Sequence, residues 1–567
     1  VTRVKRQSTA RLAAAALALA GCAREPVSPA DTIYYGGSVV TMDGAGTVAD
    51  AVAVGGGRIL AVGTRAAVER AGRAPRTRMV DLRGRTMVPG FVDAAGHLLR
   101  AMAATGQPSV ASPPGGPVRD PAAIAGQLAG FARAANLRPG ELVMGYGYDG
   151  ALVPAGGTLT RDPLDAALPR NPVIVVHASG RGAVLNSAAL RRFGISAATA
   201  APPGGTIARR PGTREPAGPL MEAAWFSVQR QLPPPAPGGE GERLRRVQEL
   251  YAAAGVTTAQ GGAATADEVE LLARAAERGA LFIDVVAHPA FTELDRVLLR
   301  HPALSFGRYQ DRLKLGGVSI TVDGPPETGA AYLATPYPRG GPYGGDGWRG
   351  APLVTRELLA GAVRRCYDDG LQLYVEASGD AAIDMLLAAH ESAAAGSPSA
   401  DRRTTVIHAQ RVRRDQLVKF ARYRIVPSFH TEPLFPPGAE PAERAPLRAA
   451  VRLGLRPTIH TDRDPLPLAP MPAVWWAATG GEAAGGRLTP EEALRALTLD
   501  AARQLFEDGA KGSIEPGKLA DLVVLSDNPL TVRPDEIRRI RVLETIKEGK
   551  TIYRAPRPRA RRTMGVP

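Results

Sequence analysis

Ten short apolar runs punctuate this chain, and several are followed by a segment of helical periodicity. They span residues 87–92, 142–146, 173–177, 256–260, 281–288, 313–323, 371–376, 404–408, 425–430 and 456–462. Apolar runs without strict alternation suit strands buried on both faces. Helical stretches at 380–394, 413–423 and 445–454 follow three of them. Strand and helix in alternation predict a parallel α/β architecture. The number and length of the runs favour a closed (β/α)8 barrel over an open sheet.

The two ends read differently. Residues 32–35, 38–42, 51–54 and 58–62 are short strands broken by Gly-Gly, Asp-Gly and Gly-Gly-Gly. Residues 522–525 and 545–553 are again strand-like. The expectation is a small β-sandwich domain made from both chain ends, 32–86 plus 512–553, with the barrel, 87–511, inserted between its halves. Ahead of it, a basic stretch leads into the apolar run 12–20 and then Gly21-Cys22. That run is too short to span a bilayer as a helix, which takes about 20 residues, but it has the length of a signal-peptide core. Leu19-Ala20-Gly21-Cys22 resembles a bacterial lipobox, which implies lipidation at Cys22, a tether over 22–31, and an exported protein anchored to the membrane on its extracytoplasmic side.

Charge is the misleading part of the composition. The formal net charge is +15, but residues 1–21 hold four basic side chains and no acid, and the tail 554–567 holds five and no acid. The body is left with +6, and aromatic residues are only 5% of the chain. A nucleic-acid surface needs a basic stripe interleaved with aromatics, so nucleic acid is not an expected partner. Besides Cys22 there is one cysteine, Cys366, on the apolar face of a helical stretch at 355–369. It reads as a core thiol, and a cysteine zinc site is excluded.

Chemistry in a barrel of this kind sits at the carboxyl ends of the strands. Six of the eight histidines close or follow an apolar run: His97, His177, His288, His408, His430 and His460. Asp323, Glu376 and Asp462 lie at the same places. That concentration at one rim marks a candidate site for a small-molecule substrate.

The motifs in order resemble those of the metal-dependent amidohydrolases, in the branch called amidohydrolase family 3. Val88-Pro89-Gly90-Phe91-Val92-Asp93-Ala94-Ala95-Gly96-His97 is similar to the first-strand signature. The likeness continues through Val256-Thr257-Thr258-Ala259-Gln260, His408-Ala409-Gln410, His460-Thr461-Asp462 and Gly512-Ser513-Ile514-Glu515-Pro516-Gly517. It implies hydrolysis of amides, cyclic amides, carbamates or formamides by a metal-activated water, with Asp462 moving the proton. Three usual ligand positions depart from the pattern. Ala95 stands at the first histidine of Asp-x-His-x-His, Ser319 at the usual lysine, and Glu376 at the fifth-strand histidine.

Two readings follow. In one, His97, Glu376, His408 and Asp462 hold one divalent metal, zinc in the first instance, in a rearranged mononuclear site where Asp462 and His408 are catalytic. Three protein ligands and an open position suffice for that. In the other, the lost ligands mean a lost metal and a non-catalytic barrel lipoprotein that binds a small solute. His177, Arg181, Asp323, His430 and His460 are the candidate substrate-binding residues; Arg181 could clamp a carboxylate or be salt-bridged, and Asp323 could simply cap a turn. The loops 335–351 and 431–445, rich in Pro, Gly and Tyr, are expected over the barrel mouth.

Overall fold

A computed structural model describes residues 29–111, 118–148, 159–178, 180–202, 204–233, 239–326, 329–338, 347–397, 399–431, 446–461, 469–480 and 486–556. Cys22, Asp462, the lipobox, the basic tail and most of the loop 431–445 lie outside the described residues. Among the described residues no helix is long and apolar enough to cross a membrane.

The chain begins with five strands, β1 (Thr32–Val40), β2 (Val48–Gly55), β3 (Arg58–Gly63), β4 (Arg78–Asp81) and β5 (Thr86–Pro89). The two segments read as separate strands at 32–35 and 38–42 form one strand, β1, with a register shift between Tyr35 and Val39. β6 (Phe91–Val92) then opens the barrel.

Next comes a sheet that the run pattern did not separate from the barrel: β7 (Val143–Tyr148), β8 (Val173–His177), β9 (Gly182–Leu185), β10 (Gly205–Arg209) and β11 (Pro216–Glu222), in the order β10-β11-β9-β8-β7. The runs at 142–146 and 173–177 belong here and are not barrel strands. Their composition gave no warning because this sheet too is covered on both faces. Val173 and Val175 pack with Ile124 and Leu128 of the helix Pro121–Ala134. Ile174 and Val176 point the other way and pack with Trp225 of the helix Ala223–Gln229.

The remaining eight runs are the barrel strands. β12 (Val256–Ala264), β13 (Asp284–Pro289) and β15 (Leu313–Leu315) continue from β6 in parallel, with β14 (Tyr309–Gln310) as an antiparallel edge on β15. β16 (Val318–Thr321), β17 (Leu373–Ala377), β18 (Thr405–His408), β19 (Val426–His430) and β20 (Thr458–His460) form a second parallel arc. β15 and β16 are one strand broken at Gly316-Gly317. A side chain at Gly316 would lie 2.3 Å from Val286, and one at Gly317 would lie 2.6 Å from the carbonyl oxygen of Gln372. Only glycine permits that approach. A bridge between Ala290 and Ser319 joins the arcs there. On the other side Gln504 spans the first and last strands. Its Nε2 donates to the Ala94 carbonyl at 2.6 Å, and its Oε1 accepts from Thr458 at 2.7 Å. The architecture is an α/β fold of the TIM-barrel type.

Helix starts on the outer ring follow ordinary capping chemistry. Thr265 with Glu268, and Thr489 with Glu492, form reciprocal capping boxes, and Pro490 opens its helix at the position where a missing N–H costs nothing. Cys366 is fully buried in the main core, and burial pushes its thiol up to about 12, which fits the reading of an inert core thiol.

The chain ends with β21 (Leu522–Leu525), β22 (Val542–Lys547) and β23 (Lys550–Arg554). The segment read as one strand over 545–553 is a hairpin, turned at Glu548 and Gly549, both at positive φ as a tight primed turn requires. β21 pairs antiparallel with β5, so strands from both chain ends share one eight-stranded sheet. Met87, Val39, Leu522 and Ile546 meet in a single core there. Buried charges bolt this unit to the barrel floor. Lys547 reaches Asp284 at 2.7 Å and Asp521 at 2.8 Å, while Lys511 reaches Asp284 at 2.6 Å and Glu507 at 2.8 Å.

Candidate active site

Six barrel strands, β6 and β16 to β20, deliver chemistry to the mouth. After β6 the chain makes a tight loop, Asp93-Ala94-Ala95-Gly96-His97. The Asp93 carboxylate folds over Gly96 so closely that a side-chain carbon there would sit 1.5 Å from Oδ2. Glycine is therefore obligatory, and it lets His97 turn back toward β12, where it bridges Gly261. Ala95 is buried in an apolar cluster with Val286, Tyr374 and Ile407, so this altered position offers no ligand. Ser319 is buried too, and among the described residues its hydroxyl has no hydrogen-bond partner.

Glu376, near the end of β17, is the focus. Its residue is only 6% exposed. Burial alone would raise its carboxyl, yet the net direction is down, because His97, His408, Arg181 and Arg100 all favour the anion. Thr321, its register partner on β16, donates to Oε2 at 3.0 Å. The structure thus brings Glu376, His97 and His408 into one electrostatic group, from three strands.

His408, His430 and His460 form a second cluster from β18, β19 and β20. Ring centroids are 5.3 Å apart for His408 and His460, 5.7 Å for His430 and His460, and 6.1 Å for His408 and His430. His460 Nε2 lies 3.3 Å from His408 Nδ1, and His460 Nδ1 lies 3.0 Å from Ser428 Oγ. Gln410 Nε2 lies 3.4 Å from His430 Nδ1. The contact with His460 engages Nδ1 of His408 and fixes the plane of its ring. His408 and Ala409 both have positive φ, at 74° and 45°; non-glycine residues there carry strain of the kind that clusters at functional sites.

The other candidates fall into place separately. His177 ends β8 in the inserted sheet, edge-on to Tyr148 at 6.1 Å, and is not on a barrel strand. Arg181 makes a two-point salt bridge with Glu222, at 3.1 Å and 2.8 Å, so it is a paired arginine. The pair reaches the barrel: a side chain at Gly324 would meet Glu222 Oε1 at 2.9 Å and Arg181 Nε at 3.1 Å. Asp323 accepts backbone N–H bonds from Ser378 at 2.7 Å and from Gly379 and Tyr332 at 2.8 Å. Both its oxygens are occupied in tying the ends of β16 and β17 to the start of the loop 335–351. Burial, opposed by those N–H groups and Arg181, raises its carboxyl to about 7.

Two participants escaped the motif reading. Glu222 sits at φ 51°, on the buried phase of an alternating strand, β11; a charge on the inward phase of a strand was the available signal. His288 was counted among the strand-end histidines, but it points into the barrel. Its Nε2 is 2.8 Å from Gln260 Oε1 and its ring lies 3.9 Å from that of Tyr374. Burial, and then Lys314, lower it to about 3, so it stays neutral.

Among the described residues no three His, Cys, Asp or Glu side chains are grouped to enclose an ion. The donor set nevertheless suits a divalent cation in kind: imidazoles at His97 and His408 and a carboxylate at Glu376 that is anionic despite burial.

Known proteins similar to this chain span nearly its whole length. The chain is 28% identical over 558 residues to an N-substituted formamide deformylase of Arthrobacter pascens, covering 92% of this chain and 98% of that one. It is 29% identical over 575 residues to the protein LONG AFTER FAR-RED 3 of Arabidopsis thaliana, covering 92% of each. The crystal structure of an uncharacterized metal-dependent hydrolase from Pyrococcus furiosus superposes with a TM-score of 0.67 at 20% identity, over 88% of this chain and all of that one. The model of the amidohydrolase family matches residues 78–553, and the chain belongs to that family.

Proposed function

We propose that this amidohydrolase cleaves a non-peptide C–N bond in an amide, cyclic amide, carbamate or formamide, using one divalent metal in a rearranged mononuclear site. The observation that carries the reading is Glu376: a buried carboxylate held anionic by His97 and His408 at the barrel mouth. An idle buried charge would be costly, and here it stands where the family pattern has a histidine. His97, Glu376 and His408 would hold the metal. When bound, it would polarise the substrate carbonyl and lower the pKa of a water toward about 7.

The chain's own residues do the rest. Thr321 fixes the Glu376 carboxylate through Oε2. The chain of contacts Ser428–His460–His408 holds the His408 ring in place through its Nδ1. Asp462, next to the end of β20, takes the proton from the water and returns it to the leaving amine. Arg181 with Glu222 forms the wall beside Asp323-Gly324, and His430 and His460 line the side nearest β19 and β20. The similarity to a formamide deformylase makes N-substituted formamides the first class to assay. We also propose that the chain is exported and anchored by lipid on Cys22; intact-mass analysis of the membrane-extracted protein tests that.

A second reading, a solute-binding barrel without turnover, is favoured by Ala95 and Ser319, which supply no ligand, and by the lack of an ion-enclosing group among the described residues. Elemental mass spectrometry of the full chain separates the two. About one metal per chain, lost in Glu376→Gln and His408→Ala, with release of formate from an N-substituted formamide, supports the hydrolase. A chain that stays metal-free after supplementation with zinc or manganese rejects it in favour of the binding reading.

A further inference from the structure

The face of the barrel opposite the mouth carries a small cavity of about 150 Å³. It opens where β18, β19 and β20 begin. Arg403, Arg424, Arg456 and Arg503 line it, with Asp401 and Asp500. Four guanidinium groups against two carboxylates leave an excess of positive charge in a space sized for one small anion.

Two independent observations mark it as built for a ligand. The first is Asp500, which is 7% exposed and has an Oδ1 without a hydrogen-bond partner among the described residues. Buried carboxylate oxygens are nearly always satisfied, and an orphan beside a cavity asks for a donor. The second is Arg424. It occupies the left-handed position that ends the helix Arg414–Tyr423, at φ 56° and ψ 35°. Glycine is the ordinary residue there, and an L side chain costs about 1–2 kcal/mol. Among the described residues the exposed side chains of Arg424 and Arg456 make no hydrogen bond, Arg456 acting on Asp500 only through its charge, whereas Arg403 is committed to Asp508 at 3.1 Å and Asp401 at 3.4 Å and stacks on Phe506 at 4.1 Å. The strained arginine and its neighbour are therefore the two guanidiniums available to a ligand.

We propose that this cavity binds a phosphate group that retains an O–H, with Arg424 and Arg456 taking its charged oxygens and Asp500 accepting the hydrogen. Arginine forks match phosphate oxygens, and a carboxylate acceptor admits only an oxoanion that brings a proton. Sulfate has the same size and shape but no O–H at neutral pH, so Asp500 is a filter between the two. The site lies at the amino ends of the strands and is independent of the hydrolytic reading.

Isothermal titration calorimetry of the full chain with inorganic phosphate, methyl phosphate and sulfate tests this. Phosphate is expected to bind at least about tenfold tighter than sulfate. Asp500→Asn should shrink that preference to under about threefold, and Arg456→Ala should weaken phosphate by about tenfold. Arg424→Gly should do the same while relieving backbone strain, so its thermal midpoint should hold or rise; this variant separates lost binding from lost folding. Methyl phosphate, whose dianion carries no O–H, should bind about as weakly as sulfate above pH 7, and methyl phosphate binding as tightly as inorganic phosphate there would overturn the role given to Asp500. Equal binding of phosphate and sulfate, or phosphate binding unchanged in Asp500→Asn and Arg424→Gly, overturns the proposal.

Discussion

The floor and the mouth of this barrel are both rich in buried charge, and they treat it in opposite ways. On the floor, every buried cation faces carboxylates at ion-pair distance. Lys511, Lys547 and Arg312 converge on Asp284, and Lys314 and Lys511 on Glu507. Burial alone would lift Asp284, but Lys511 and Lys547 hold it well below the usual carboxylate range. At the mouth, Glu376 is stabilised by imidazoles that are charged only when protonated, and Asp323 by backbone N–H groups. The floor is an electrostatic weld between the barrel and the composite β domain. The mouth is left with groups that can change state, as chemistry requires.

Breaking the weld should give the largest effect on stability. Lys511→Met leaves Asp284 and Glu507 short of a partner in the interior, and such changes cost about 3–5 kcal/mol. Urea unfolding should show this loss, with the specific activity of the surviving folded protein unchanged. A loss below about 1 kcal/mol would show the network to be incidental. Glu376→Gln makes the reverse prediction. The amide keeps the shape and can still accept from Thr321, so the unfolding midpoint should move little, while turnover falls by about a hundredfold or more, the scale of a lost catalytic electrostatic group. Equal loss of stability and activity would place Glu376 with the weld.

pH divides the two regions by sign. Asp323 has its folded-state carboxyl raised to about 7, against an ordinary value of 3.8. The folded chain therefore holds this proton more tightly than the unfolded chain, and the contribution is lost as pH rises from about 4 to about 7. Asp284 is depressed in the folded state, so its contribution is complete above pH 4 and is lost on acidification below its ordinary 3.8. Stability measured from pH 3 to 8 should fall at the acid end, and less steeply in variants lacking Asp284, the remaining fall coming from other depressed carboxylates such as Glu507. The decline between pH 4 and 7 should flatten in Asp323→Asn. A slope identical in wild type and Asp323→Asn would remove that residue from the account.

The sequence carried most of the barrel because each of its eight strands is a buried run with a polar terminus, and both signals survive without knowledge of contacts. It could not distinguish the inserted sheet, since Val173, Ile174, Val175 and Val176 are buried on alternate faces just as barrel strands are. The same limit misassigned His177. Glu376, His97 and His408 were legible as rim residues by position. Their mutual facing was not, because it depends on the tight Asp93–His97 loop. The floor network was invisible: Lys511, Lys547 and Asp284 lie in three separate segments with no motif among them, and only the fold makes them neighbours. Glu222 was hidden likewise, although its place on the inward phase of β11 was a usable clue.

The smallest expected effect isolates burial as the variable. Arg413, near the rim on the barrel's outside, has three anionic partners, one more than Lys511: Asp380 at 3.1 Å and Asp384 and Asp415 at 3.0 Å. Its side chain is 37% exposed, and those of Asp384 and Asp415 are 46% and 65% exposed. Water already stabilises each of these charges, so pairing them gains little, and salt screens what remains. Arg413→Ala should therefore cost under about 1 kcal/mol at low salt, the range measured for exposed pairs, and the difference should nearly vanish in 1 M sodium chloride. Lys511→Met should keep most of its penalty at that salt, because ions do not reach the floor. If both variants lose stability equally and respond equally to salt, the number of partners decides and burial does not. If they diverge as expected, two ion pairs are a weld where water is excluded, and three are a minor ornament of the surface where it is not.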